Sequence, residues 1–269
     1  MFNLLNLAVA AALEAGAEIM RIYLDPKQDF GIEKKADNSP LTLADKAAHN
    51  CIVRHLAPTN IPILSEEGAH LPYEERRKWH RLWVVDPLDG TKEFIKKNGE
   101  FTVNIALVED GSPILGVIYV PATEVLYTAI VGEGAWKAPF PLPPLGSDSK
   151  SECREENIMA LPKRGSGEGA FTVVASRSHM NPETEEFVEN LRKIHDNVEL
   201  ISSGSSLKIC LVAEGTADVY PRFAPTMEWD TAAGDAIARA AGRKVTDAQT
   251  GQPLTYNKPD LHNPWFIVS

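Results

Sequence analysis

The run Asp86-Pro87-Leu88-Asp89-Gly90-Thr91 holds two carboxylates three positions apart, with a proline to stiffen the chain between them. It follows Leu82-Trp83-Val84-Val85, a short apolar run that reads as a buried strand broken at Asp86. A hard divalent cation such as Mg²⁺ takes oxygen ligands, and this turn offers Asp86, Asp89 and the Leu88 carbonyl together. Gly90 and Thr91 then open a helical turn, Lys92 to Lys97, whose free amides would face an anion. Taken alone, the motif is equally well explained as an ordinary Asp-rich turn. Three further acidic positions bear on that balance. Ser65-Glu66-Glu67 also follows a short strand, Ile61 to Leu64, at the end where sheet ligands gather. Trp229-Asp230 stands at the start of a helix from Thr231 to Ala241, where Asp is just as well placed as an N-cap. Asp45 lies in the first turns of a helix from Leu43 to Leu56 and by itself is an ordinary solvated residue.

These side chains need elements to hold them. Leu5, Val9, Ala12, Gly16, Ile19 and Tyr23 recur at helical spacing, so the chain opens on an amphipathic helix with Asn3 available as its N-cap. Phe101 to Val108, Ile114 to Val120 and Val125 to Val131 are rich in β-formers and form an antiparallel meander. Pro139, Pro141, Pro143 and Pro144 begin a loop reaching to about Gly169, the best place for a domain boundary. Beyond it come a strand Phe171 to Ser176, a helix capped by Asn181-Pro182 and running to His195, and a strand Glu199 to Ser202. A helix Ser206 to Glu214, a strand Ala217 to Tyr220 and a closing strand Phe266 to Val268 follow, so the class is mixed α/β.

Composition excludes several functions. The 269 residues carry 27 basic and 37 acidic side chains, net −10, which disfavours a polyanionic partner such as nucleic acid or an anionic membrane. Cys51, Cys153 and Cys210 have neither disulfide-framework nor zinc spacing; they read as inert thiols in a reducing compartment. Met1 to Tyr23 lacks the basic segment of a signal peptide and is interrupted by Glu14, Glu18 and Arg21. No segment reads as long and apolar enough to span a bilayer. Apart from His179, the histidines, His49 and His55 among them, have no carboxylate or cysteine at ligand spacing and read as structural.

Together the acidic segments resemble the lithium-sensitive, Mg²⁺-dependent phosphatases of the inositol monophosphatase superfamily. Trp83-Val84-Val85-Asp86-Pro87-Leu88-Asp89-Gly90-Thr91 is similar to its first motif, and Trp229-Asp230-Thr231-Ala232-Ala233-Gly234 to its second. Thr42-Leu43-Ala44-Asp45 and Ser65-Glu66-Glu67 precede them in the family's order, and the likeness covers nearly the whole chain. Ser176-Arg177-Ser178-His179, Gly204-Ser205-Ser206-Leu207-Lys208 and Tyr220-Pro221-Arg222-Phe223 resemble the bacterial 3′(2′),5′-bisphosphate nucleotidases of the CysQ type.

The resemblance implies a two-domain αβαβα sandwich of the inositol monophosphatase/fructose-1,6-bisphosphatase type. Residues 1–155 would form an α+β domain with most of the metal ligands, and 156–269 an α/β domain contributing Asp230 and substrate contacts. It implies two to three Mg²⁺ ions: Glu66, Asp86 and the Leu88 carbonyl for the first, Asp86, Asp89 and Asp230 for the second, and a weaker third near Glu66. Asp45 and Thr91 would orient and deprotonate the attacking water; an aspartate of pKa about 4 is a weak base, so the metals carry most of that activation. A cluster of four or five carboxylates repels itself when empty, so the metal-free site is expected to be loose. Substrate would meet Glu66, Leu88, Asp89, Gly90, Thr91 and Asp230 around the metals. Ser176, His179, Lys208 and Arg222, with Gly204 and Ser205 letting the backbone come close, would hold the second phosphate.

The implied reaction is hydrolysis of the 3′-phosphate of adenosine 3′,5′-bisphosphate, or of its 5′-phosphosulfate analogue, in sulfur metabolism. Inositol monophosphate or fructose 1,6-bisphosphate hydrolysis and a non-catalytic Mg²⁺- or nucleotide-binding regulator are the rival readings. Asp45 and Thr91 argue against the regulator, which needs neither. The partner is a small-molecule nucleotide, with no nucleic-acid polymer and no membrane span. The implied location is cytoplasmic; oligomeric state and peripheral contact with the inner membrane stay open.

Overall fold

The structure, a computed structural model, describes residues 1–26, 30–34, 40–69, 71–139, 158–162, 169–176 and 181–269. Its centre is a sheet of seven strands among the described residues, in the order Ile63–Ser65, Arg81–Asp89, Thr102–Glu109, Ser112–Val120, Val125–Ile130, Gly134–Pro139 and Met159–Ala160. The first pair is parallel and every later pair is antiparallel, so the expected meander lies inside a longer run of hairpins. Met159–Ala160, beyond residue 155, adds the last strand to this sheet.

Side-chain alternation decides what each face packs. Trp83, Val85, Val103, Ile105, Leu107, Leu115 and Val117 face a core shared with the helices Phe2–Tyr23 and Leu43–Leu56. Leu82, Val84, Ala106, Val108, Ile118 and Val120 face the opposite core, built with the helices Leu207–Ala213 and Glu228–Ala240. Behind those helices lie the parallel pair Phe171–Ser176 and Val198–Ser203, and a small sheet ordered Tyr220–Arg222, Phe266–Val268, Val245–Asp247. Val173, Val219 and Val188 then bury the helix Pro182–Arg192 against that layer. The layers run helix, sheet, helix, sheet, helix, as the αβαβα expectation required.

Helix Glu228–Ala240 lies unusually close to the sheet. A Cβ on Gly116 would sit 2.4 Å from the Ala233 carbonyl oxygen and 2.9 Å from the Ala236 Cβ. Backbone cannot yield there as a flexible side chain would. Gly116→Ala is therefore expected to destabilise the chain by about 1–3 kcal/mol, read as a lower midpoint in urea.

Several local expectations are corrected. The first helix is capped by Met1, not Asn3. By length and composition alone it would be long enough and apolar enough to cross a membrane, against the sequence reading. In this fold Ala8, Ala11, Ala12, Ala15 and Ile19 are instead buried against the sheet and the next helix. The helix expected from Thr231 begins at Glu228, because Met227, a poor capping type, stands at the N-cap position and hides the start. The strand expected over Ala217 to Tyr220 is Tyr220–Arg222, with Val219 only bridging to Val173. Glu33–Lys34 with Pro40–Leu41, Gly134–Pro139, Met159–Ala160 and Val245–Asp247 are strands that pattern alone did not give.

Candidate active site

The first acidic motif does not break its strand. Arg81–Asp89 is one strand, in which Asp86 pairs with Asn104 and Asp89 with Thr102. Three steps on one strand thus oppose two on the other, so a bulge holds one extra residue at Pro87-Leu88, where proline has no N–H to give the ladder. The consequence is chemical. In a regular strand, residues three apart point to opposite faces; the extra residue returns Asp89 to the face of Asp86. Leu88 goes the other way, into the core under the first two helices.

Two helix starts complete the cluster. In Leu43–Leu56, Asp45 is the third residue: its Oδ2 accepts from the Thr42 N–H at 2.7 Å and from Thr42 Oγ1 at 2.6 Å. Asp230 holds the same position in Glu228–Ala240, with Oδ2 accepting from the Met227 N–H at 2.8 Å. It is therefore not the N-cap residue that the sequence left as an alternative. Both carboxylates sit where the helix dipole favours negative charge. Carboxylate oxygens of Asp86, Asp89 and Asp230 lie within 4.8 Å of one another. Glu66 follows the neighbouring strand, its N–H donating to the Val85 carbonyl at 3.1 Å.

Burial first, then the charges of Glu66, Asp89 and Asp230, hold the Asp86 carboxyl well above the usual carboxylate range. Burial and then Asp89 push Asp230 up to about 8. This concentration of negative charge is an all-oxygen donor set suited to a hard cation such as Mg²⁺.

Asp45 and Thr91 meet as expected. Thr91 Oγ1 lies 3.2 Å from Asp45 Oδ1 and 3.4 Å from the Leu88 carbonyl oxygen. Gly90 precedes the short helix Thr91–Ile95 at φ +93°, a left-handed conformation that favours glycine. A cleft of about 240 Å³ opens beside the cluster, lined by Asp89, Gly90 and Asp230 and also by Gly204, Ser205, Lys208 and Arg222.

The latter group differs from expectation in detail. Lys208 lines the cleft as expected of a substrate contact but is buried, 5% exposed, with Nζ donating to the carbonyls of Ser203 at 3.2 Å and Ser205 at 2.5 Å. Burial lowers it to about 8. Its cation is thus held by the turn it shapes while facing the cleft. Arg222 donates to the Pro225 carbonyl at 3.2 Å, and its buried Nε has no hydrogen-bond partner within the protein. Ser205 Oγ donates to the Glu100 carbonyl at 3.1 Å, and Gly204 packs on Glu100 with no room for a side chain. The side chain of Ser176 and all of His179 lie outside the described residues.

Two polar residues to which the sequence reading gave no role at the site organise Asp89. Ser206 Oγ lies 2.6 Å from Asp89 Oδ2 and 2.8 Å from the Asp230 carbonyl oxygen. Asn104, fully buried, donates from Nδ2 to Ser206 Oγ at 2.8 Å and to Asp89 Oδ2 at 3.3 Å, and its Oδ1 accepts from Thr102 at 2.9 Å. The available signal was Thr102 and Asn104 on one face of an otherwise apolar strand. Lys92 and Lys96, which also line the cleft, went unassigned as well. One histidine reading changes: His55 Nε2 meets the Glu14 carboxylate, whereas His49 Nδ1 pairs with Ser65 Oγ at 2.9 Å in a structural role.

A bulged acidic strand, two acidic helix starts and a five-layer fold define a class. The chain belongs to the inositol monophosphatase family, whose profile matches residues 2–264. Among particular proteins it is 48% identical over 263 residues to the 3′(2′),5′-bisphosphate nucleotidase CysQ of Escherichia coli (strain K12), covering 96% of each chain. A crystal structure of CysQ from Bacteroides thetaiotaomicron superposes with a TM-score of 0.88 at 57% identity, over 99% of this chain and 96% of that one. The extragenic suppressor protein suhB of Bartonella henselae is more distant, with a TM-score of 0.73 at 25% identity over 99% and 93%.

Proposed function

We propose that this chain is a metal-dependent 3′(2′),5′-bisphosphate nucleotidase. It removes the 3′-phosphate of adenosine 3′,5′-bisphosphate, with the 5′-phosphosulfate analogue as a second substrate. One observation carries the reading: Asp89 and Asp230 of the all-oxygen carboxylate cluster line a cleft that Lys208 and Arg222 line as well. The carboxylates suit cleavage of a phosphate ester. The cations offer charge for an additional anion, which an inositol monophosphate lacks, and the CysQ relatives share both halves of the sequence.

Glu66, Asp86, the Leu88 carbonyl, Asp89 and Asp230 would hold Mg²⁺. Bound there, it would offset the carboxylates and stabilise charge developing on the phosphoryl oxygens. The chain's own residues do the rest. Thr42 occupies Asp45 Oδ2 twice, leaving Oδ1 to accept the Thr91 proton. The Thr91 oxygen then has its lone pairs turned outward, to accept a hydrogen from the attacking water and align it with phosphorus. The water's oxygen bonds to phosphorus as the bond from phosphorus to the 3′-oxygen breaks; one water proton passes through Thr91 to Asp45 Oδ1 and a solvent proton reaches the 3′-oxygen, giving AMP and phosphate. Ser206 and Asn104 fix Asp89 so that the cluster keeps its shape during turnover. The division into residues 1–155 and 156–269 belongs to the same reading, with the cleft drawing on both parts. So does cytoplasmic operation, supported by the free thiols of Cys51 and Cys210.

A Mg²⁺-dependent phosphate-release assay over adenosine 3′,5′-bisphosphate, inositol 1-phosphate and fructose 1,6-bisphosphate tests this. The nucleotide should give the highest kcat/KM by at least about tenfold, the effect of a single charge-assisted contact. A preference for either sugar phosphate would overturn the nucleotide assignment, and no release from any would favour a regulator. LiCl should inhibit where NaCl at equal ionic strength does not, because Li⁺ is close to Mg²⁺ in size and has half its charge. Equal effects of the two salts would remove the lithium-sensitive mechanism.

A further inference from the structure

A second group of metal-ligating side chains lies away from the cleft, where the first helix packs on the Leu43–Leu56 helix. Cys51 and His55 are four residues apart and so share a face of their helix, and both turn toward Glu14 on the first helix. A sulfur of Cys51, an imidazole nitrogen of His55 and a carboxylate oxygen of Glu14 lie within 4.8 Å of one another. We propose that Glu14, Cys51 and His55 form a second metal site, for a borderline-soft divalent ion such as Zn²⁺, that cross-links these two helices.

The donor set argues for that ion class. Thiolate, imidazole and carboxylate together are ligands of Zn²⁺ or Co²⁺, whereas the cleft cluster offers only oxygen and suits Mg²⁺. Metal sites in helical proteins are built from side chains that project from facing helices, and residues four apart share a helix face. Glu18, one turn beyond Glu14, supplies a fourth ligand from the same helix, its charge already acting on Cys51. Its present partner is Arg21 at 3.0 Å, an exposed pair that is readily exchanged.

Arg54 is the resident competitor. Its guanidinium bonds Glu14 and lies 3.7 Å from Cys51 Sγ, so it holds the negative charge a metal would hold. Its side chain is 66% exposed and can turn to water without opening the core. Metal binding replaces the Cys51 S–H bond with a metal–sulfur bond and passes that proton to solvent, while neutral His55 gives a lone pair. His55 lies ten residues after Asp45 on the same helix, about 15 Å along its axis. An ion there would stiffen the helix that carries Asp45 without touching the cleft.

Cobalt distinguishes the two sites, because only a thiolate ligand gives a near-ultraviolet sulfur-to-cobalt charge-transfer band. Titrating the chain with Co²⁺ should develop that band until one thiolate-bound ion is present per chain, and Zn²⁺ should bleach it. Asp230→Asn should keep it, Cys51→Ser should abolish it, and His55→Ala should weaken the affinity by about tenfold or more. Arg54→Ala keeps every ligand and removes the competitor, so it should tighten binding. The proposal is overturned if wild-type protein shows no such band in Co²⁺ excess, if the band survives Cys51→Ser, or if Arg54→Ala weakens it. Circular dichroism on each variant separates loss of the ligand from loss of the fold.

Discussion

Asp230→Asn is expected to lower kcat by about 10²-fold or more while making the metal-free protein more stable. The two effects have opposite signs for one reason. Asp230 stands in a cluster whose members repel one another: its carboxyl is raised to about 8 by burial and by Asp89. The folded chain therefore keeps a proton there that the unfolded chain releases above about pH 4. Stability from this group is complete below its ordinary value of 3.8 and is lost as pH rises through about 8. Asparagine never acquires the charge and so does not suffer that loss. Its side-chain oxygen can still accept from the Met227 N–H, which in the parent lies 2.8 Å away, so the helix start is preserved. With chelator present, the melting temperatures of parent and variant should converge near pH 4 and separate by a few degrees near pH 9, the variant higher. Phosphate release at saturating Mg²⁺ supplies the other half. Near-normal turnover would remove Asp230 from the metal site, and an unchanged melting profile would mean the cluster is not strained.

The parts of this site that were legible share a property: each is written in a short stretch of chain. Asp86 to Thr91 and Trp229-Asp230 are local motifs, and Thr42 with Asp45 is a capping pair three residues apart. The helix Leu43–Leu56 was correspondingly readable to its ends. What escaped depends on contacts between distant residues of common types. Ser206 and Asn104 are 102 residues apart and meet only because two sheet and helix layers close on Asp89. His55 and Glu14 are 41 apart and meet across a helix pair. The bulge at Pro87-Leu88 is a different case, since proline announced an interruption but only the partner strand shows the chain continuing past it. The burial of Lys208 was not legible, because nothing in its own stretch of chain shows that the Ser203 and Ser205 carbonyls take its Nζ.

That burial changes what the two cations in the cleft should do. Arg222→Ala is expected to lower kcat/KM for adenosine 3′,5′-bisphosphate by about ten- to a hundredfold, the effect of roughly 1.5–3 kcal/mol for a charge-assisted contact. It should barely alter hydrolysis of inositol 1-phosphate. The guanidinium donates to the Pro225 carbonyl and hydrogen-bonds the Tyr220 side chain, while its buried Nε has no protein partner and so leaves a donor for an anion. Lys208→Met should behave differently, although both side chains line the same cleft. Methionine fills the space but cannot tie the carbonyls of Ser203 and Ser205, which set the turn into Ser206 and hence the contact to Asp89. Both substrates should then lose activity, the nucleotide more because it also loses the charge. The discriminating measurement is the ratio of the two efficiencies for each variant. A selective loss with Arg222→Ala and a shared loss with Lys208→Met would assign recognition of the second phosphate chiefly to Arg222. Equal losses on both substrates with Arg222→Ala would assign it to supporting the metal site, leaving Lys92 and Lys96, which also line the cleft, as the cations to test next.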